Sequence, residues 1–363
     1  MFFRRSSVSV VQANMSSPPK STARTPVNKS RTRQSYQNMT AASRLFLTRE
    51  LTSQRLSARR KIPKSDNILD KMDPQQLSLL MGTEWQLSFV TPMYQFRYTQ
   101  LKSYARQLSA FMAAETQRGL ALEVGGTLGF RVSFSVVRGL VGTDDDAEAV
   151  FIQIAAQNAF GRADEQDKTA WKGWLACVNG NADYPRSLPK DFVCLPLFAC
   201  SGKEALTALV KSWFQQTFDC CLGSLELSHT SLQWLLALWT ECRVESKAKD
   251  LKMVWTLPAK PALRVTYSVD PEDAWELWSS VRTSVGETDE REIDWEEVRR
   301  LTKALTGHFY RYFRMDLSAG NLSHLSTTMG AAKHEGRIKI SNSRCLSATL
   351  TLLTECALLK MPI

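Results

Sequence analysis

The run Phe130-Arg131-Val132-Ser133-Phe134-Ser135-Val136 alternates apolar and polar side chains, the period of a strand with one face buried and the other wet. Val150–Ala156 and Trp171–Val178 carry the β-branched and aromatic content of further strands, with Gly- and Asp-rich stretches between. Successive strands of this kind form an antiparallel sheet with one solvated side.

Working outward, Asp73-Pro74 supplies an N-cap and a proline at the first helical position, ahead of Leu77, Leu80 and Met81. Trp85–Phe89, Met93–Tyr98 and Leu120–Val124 read as strands. Leu101, Tyr104, Ala105, Leu108, Phe111 and Met112 fall on one face of a helix stopped by Gly119, and Leu206, Leu209, Val210, Trp213 and Thr217 on one face of another. The second half repeats the mixture. Leu251–Leu257 and Leu263–Val269 are strands, Pro271–Arg282 is a helix opened by Asp270, and Asp294–Phe313 is a longer helix. Short strands near Leu322–Thr328 and Gly336–Ser341 precede an apolar segment, Leu346–Leu359. Strand runs with occasional helices, lacking regular βαβ alternation, predict an α+β fold.

Charge divides the chain sharply. Residues 1–66 hold 14 Lys plus Arg against two acids, Glu50 and Asp66, a net of +12; the remaining 297 hold 46 − 14 = 32 bases and 36 − 2 = 34 acids, a net of −2. The first 66 residues, rich in Ser, Thr, Arg, Lys and Pro and without Trp, are expected to be a disordered basic arm. The near-neutral body is expected to comprise an N-terminal α+β region, 67–222, and a C-terminal one, 223–363. A basic arm implies tethering, nuclear import or targeting more than a uniformly basic binding surface. Met1-Phe-Phe-Arg-Arg-Ser-Ser also has the character of a mitochondrial presequence, but basic clusters recur at Arg31, Arg33 and Arg59-Arg60-Lys61, which favours the nucleus. No uncharged apolar run reaches the ~18 residues of a bilayer span, so a soluble protein without a membrane partner is expected.

The eight cysteines show no C-x-x-C pair, which argues for buried, reduced thiols and against a zinc ribbon. Gly125-Gly126-x-x-Gly129 lies between two strands and opens no helix, so it is a turn more than a phosphate loop. Ser201-Gly202-Lys203 reads as a helix start. Asp144-Asp145-Asp146 could offer oxygen ligands to Mg²⁺, which leaves one enzymatic alternative: a mitochondrial metal-dependent phosphoryl-transfer or hydrolytic enzyme. The histidines 229, 308, 324 and 334 are scattered, no catalytic set can be assembled, and no cofactor is expected.

Two stretches carry cations in patterned company. His308-Phe-Tyr-Arg-Tyr-Phe-Arg314 interleaves rings and guanidinium groups, as a base-stacking surface would. Its aromatics are better read as the apolar stripe of a helix, with Phe309 and Tyr312 continuing Leu301 and Leu305. In Gly336-Arg337-Ile338-Lys339-Ile340, strand alternation sends the isoleucines inward and sets Arg337 and Lys339 side by side on the other face. Two cations fixed on a strand suit backbone-phosphate contact, although a solvated face is the commoner reason for such a pair.

Several segments together resemble the centromere protein L family: Trp85-Gln-Leu-Ser-Phe-Val-Thr-Pro-Met-Tyr-Gln-Phe-Arg-Tyr98, Leu101–Met112, Gly119–Gly125, Trp171-Lys-Gly-Trp174, Asp191–Phe198, Trp213–Cys220, Asp270-Pro-Glu-Asp-Ala274 and Gly336–Ile340. They span roughly residues 60–361 in family order. The resemblance implies curved antiparallel sheets flanked by helices and a non-enzymatic subunit of the inner kinetochore. It implies pairing with centromere protein N through the C-terminal region, by joining strands, and contact with centromere protein C and neighbouring subunits. It also implies a basic channel for centromeric DNA at the CENP-A nucleosome. On that basis Arg337 and Lys339 occupy the family's basic strand positions, Lys168 is a weaker DNA-backbone candidate, and His324 stands where a base is expected.

Overall fold

The computed structural model describes residues 6–12, 72–117, 129–143, 146–157, 168–180, 188–242, 250–283 and 293–361. In chain order the strands are β1 (Ser6–Gln12), β2 (Glu84–Val90), β3 (Met93–Tyr94), β4 (Gly129–Val137), β5 (Ala149–Gln157), β6 (Lys168–Ala176), β7 (Phe192–Val193), β8 (Leu197–Gly202) and β9 (Leu222–Ser224), then β10 (Leu251–Leu257), β11 (Leu263–Val269), β12 (Asn321–Ser326), β13 (Gly330–Lys333) and β14 (Arg337–Ile340). The helices are α1 (Pro74–Leu80), α2 (Leu101–Gln117), α3 (Glu204–Phe218), α4 (His229–Glu241), α5 (Pro271–Thr283), α6 (Trp295–Phe313) and α7 (Leu346–Lys360). The fold is α+β.

Among the described residues twelve strands join one sheet in the order β1-β11-β10-β12-β13-β14-β2-β8-β6-β5-β4, with β9 beside β2; β3 and β7 pair separately. Neighbours are antiparallel throughout. The sheet crosses from the C-terminal strand β14 to the early strand β2, where Ile338 pairs with Trp85.

Directly paired residues share a face, so the register fixes what each side of the sheet carries. One face presents Ile338, Trp85, Ala199, Trp174 and Phe151, and farther along Met253, Trp255 and Tyr267, all buried beneath helices α4 to α7. The other face is apolar only from β2 to β4. There Phe198, Trp171, Ile152 and Ile154 pack with Leu108, Met112, Val210 and Phe214 of α2 and α3. From β14 to β11 that second face carries no helix among the described residues. Two cores on opposite sides of one sheet follow, each large side chain contributing about 1.5–3 kcal/mol before the entropy of ordering.

Several sequence expectations are corrected. Met93–Tyr98 is not one strand: pairing stops at Tyr94, Gln95 takes φ +54°, and a 3₁₀ turn at Tyr98–Gln100 leads into α2. The buried stripe of α3 is Leu206, Val210, Trp213, Phe214 and Phe218, while Thr217 is exposed. The strand near Leu322 ends at Ser326, and β13, absent from the sequence reading, forms a hairpin with β14. Within the basic arm, Ser6–Gln12 form β1, where the β-branched Val8, Val10 and Val11 suit a strand. Leu120–Val124 and Gly125-Gly126 lie outside the described residues.

Candidate nucleic-acid interface

The hairpin of β13 and β14 is built on Gly336, whose backbone takes φ +78°. Leu87 N–H donates to the Gly336 carbonyl at 2.8 Å, so the turn is stitched to β2, and Gln86 Nε2 donates to the Glu335 carbonyl at 3.0 Å. Held this way, β14 alternates as its sequence requires. Ile338 and Ile340 are buried, and Arg337 and Lys339 are exposed on the uncovered face, about 7 Å apart by the strand rise.

The register adds side chains that sequence reasoning missed. Across from Arg337 stand Lys333 of β13 and Gln86 of β2; across from Lys339 stand Ala331 and Glu84. Farther along, Lys333 faces His324, His324 faces Val254, Ser326 faces Lys252, and Thr256 faces Arg264. Lys252 and Arg264 are exposed and Lys333 is half-buried. Five cations thus share one open sheet face. Alternation within Leu251–Leu257 and Leu263–Val269 reveals that Lys252 and Arg264 point away from the core, but only the strand order puts them on the face of Arg337.

Glu84 interrupts the basic surface. Lys333 Nζ sits 2.9 Å from it, and that hydrogen bond, ahead of the charges of Lys333, Arg337 and Lys339, holds Glu84 below the usual carboxylate range against some burial. His324 is pushed below the ordinary imidazole range by burial first and by Lys333 second. It is therefore neutral at pH 7 and contributes no charge where the resemblance implied a base.

Lys168 opens β6, paired with Ala156 and separated from β14 by β2 and β8. It does not join the cluster, and its side chain lies outside the described residues. The aromatic run ending α6 departs from the expected stripe: Leu301, Leu305 and Phe309 are buried, but Tyr310, Tyr312 and Phe313 are 50 %, 56 % and 41 % exposed. Burial along α6 stops at Phe309, and Arg314, at φ +56°, ends the helix.

Asp146 has a structural task. Its carboxylate accepts from the backbone N–H groups of Gly142, Thr143, Asn179 and Gly180 at 2.8–3.1 Å, and the Cys177 thiol lies 3.5 Å away. It latches two loops together. Asp144 and Asp145 lie outside the described residues, and among the described residues no group of three or more His, Cys, Asp or Glu could hold a metal ion. Lys203 N-caps α3, as the sequence suggested, without a capping side chain. Six of the eight thiols are buried, and burial pushes Cys194, Cys220 and Cys345 up to about 12. No helix of the described residues is long and apolar enough to cross a membrane.

Comparison with known proteins bears on the whole body. The family model for centromere protein L matches residues 79–358. This chain belongs to the centromere protein L family. Centromere protein L of Danio rerio is 52 % identical over 312 residues, covering 86 % of this chain and 84 % of the relative. Those of Rattus norvegicus and Homo sapiens are 39 % and 37 % identical over 305 and 304 residues, covering 84 % of this chain and 87 % of each relative. The matched span contains the five cations of the basic face and Glu84.

Proposed function

We propose that this chain acts in the nucleus as a non-enzymatic adaptor of the inner kinetochore, serving chromosome segregation by pairing with centromere protein N. The pair would anchor centromere protein C and neighbouring subunits to CENP-A chromatin. Its own share of the DNA contact is the open face of β10 to β14, with Arg337 and Lys339 at the centre and Lys252, Arg264 and Lys333 around them. The single observation that supports this reading is the register, which gathers five cations on a sheet face that carries no helix among the described residues. Fixed cations on a rigid strand grip phosphates without reading bases. Lys168 is a peripheral contact of the same kind.

The partner arm of the proposal is tested by co-expressing the full chain with centromere protein N from the same organism and sizing the product. A 1:1 complex that survives dilution supports the adaptor; two separately eluting monomers contradict it.

A further inference from the structure

The row Phe151, Trp174 and Ala199 crosses β5, β6 and β8 on the helix-covered face of the sheet, and all three side chains are core. Two residues along each strand, the next row on that face is Gln153, Lys172 and Ser201, directly opposite one another in the same ladder. The face turns from apolar to polar in one step. A cavity of about 300 Å³ lies at this boundary, lined by the three polar residues with Phe151, Thr169 and Leu79 of α1.

Lys172 is half-buried. Its Nζ donates to the Thr83 hydroxyl at 2.7 Å and lies 5.2 Å from the centre of the Trp85 ring, which anchors the ammonium and leaves two of its three N–H groups unused. Among the described residues no carboxylate comes within 4.0 Å of it. Burial alone pushes the amine below the ordinary lysine range, whereas an acidic neighbour would raise it. Beside it, Gln153 Nε2 donates to the Thr169 hydroxyl at 2.8 Å and keeps a second N–H, and among the described residues the Ser201 hydroxyl makes no hydrogen bond. A cation partly stripped of water and lacking a counter-ion, with unused donors beside it, attracts an anion more strongly than the same group does in bulk water. One cation matches one negative charge, which favours a carboxylate over a phosphate dianion. Phe151, buried, and Leu79, 38 % exposed at the mouth, offer an apolar wall to methylene groups.

We propose that this cavity is a binding site for a singly charged carboxylate on a short aliphatic stem, the group shared by a glutamate side chain of a partner protein and a small organic acid. Lys172 is its counter-ion, Ser201 and Gln153 donate hydrogen bonds to it, and Phe151 and Leu79 pack against the stem. The site lies on the face of the sheet opposite the basic one, so it does not rest on the DNA reading and the two stand or fall separately.

The test titrates the purified full chain by calorimetry, at constant ionic strength, with butyrate and with N-acetyl-glutamate amide, against the uncharged references butyramide and N-acetyl-glutamine amide. The expected result is saturable one-to-one binding of a carboxylate, roughly tenfold or more tighter than its amide reference, as for a charge-assisted hydrogen bond. Binding of butyrate identifies a small-acid site; binding of the glutamate compound alone identifies a partner's side chain. Lys172→Gln should abolish the preference for carboxylate over amide. Leu79→Asp, at an exposed helix position, should abolish binding by setting a negative charge at the mouth, and gives a second readout if Lys172→Gln lowers stability. No saturation by either carboxylate at about 50 mM, equal binding of the amides, or carboxylate binding unchanged in both variants would each overturn the proposal.

Discussion

At Gly336 a Cβ atom would stand 2.1 Å from the Leu225 carbonyl oxygen, on a backbone whose φ of +78° side chains rarely adopt. Gly336→Ala should therefore destabilise the fold by roughly 2–4 kcal/mol, from left-handed strain plus overpacking; a denaturant midpoint equal to wild type would show that the hairpin bends more freely than its geometry implies. Arg337→Ala with Lys339→Ala should shift stability by no more than about 0.5 kcal/mol, because both side chains are exposed. The outward pointing of these two cations was legible from alternation with Ile338 and Ile340. Lys252, Arg264 and Lys333 were not legible as their companions, because membership of one face depends on which strands are neighbours. Tyr312 was misread for another reason: helical spacing continues to the end of α6, but burial stops at Phe309.

Among the elements, α4 is tied to β12 by His229, whose Nδ1 accepts the Leu322 N–H at 2.7 Å. That bond needs the nitrogen unprotonated, and burial pushes His229 below the ordinary imidazole range. Burial also comes first in lowering His308 and His324, with Arg311 adding at the former and Lys333 at the latter. Above about pH 6.5 folded and unfolded chains both carry neutral imidazoles and the three residues contribute nothing to pH dependence. Below that value the unfolded chain binds protons that the folded one resists, so stability falls as pH drops. Glu84 acts in the same direction at lower pH, its folded value also being lowered: its contribution is present above the unfolded carboxylate value and lost only at more acid pH. The denaturation midpoint should therefore fall between pH 7.5 and 5.5, and His229→Ala should lower stability by about 1–3 kcal/mol by stranding the Leu322 N–H. A midpoint that stays level or rises on acidification contradicts the assignment. Asp146→Ala, which removes the acceptor of four backbone N–H groups, should cost about 2–4 kcal/mol with or without added Mg²⁺; a loss of stability on chelation would instead favour a metal role. β10 and β11 match the sequence reading end to end because each run is bounded by polar or Pro-rich residues. α7 showed only as an apolar stretch, since it buries nearly every side around its axis and so lacks an amphipathic period.

For the whole molecule, the fold class was readable from local periodicity but the topology was not. β2 sits between β14 and β8, and nothing local to Trp85 signals a partner at Ile338. The same long-range pairing creates the two-sided core and, beyond β2, the open basic face. The exposed aromatic turn of Tyr310, Tyr312 and Phe313 and an adaptor's uncovered interface, ~2,000 Å² or more for obligate pairs, predict that the chain alone self-associates in light scattering; a stable, monodisperse monomer at micromolar concentration would count against the adaptor. The central claim, that the open sheet face grips DNA phosphates, is tested most directly by measuring DNA affinity of the complex with centromere protein N over a salt series, for wild type and for Arg337→Ala with Lys339→Ala. Loss of two phosphate contacts should weaken binding and make the slope of log affinity against log salt shallower by about 1.8. A double variant with unchanged affinity and slope, in an intact complex, would contradict it.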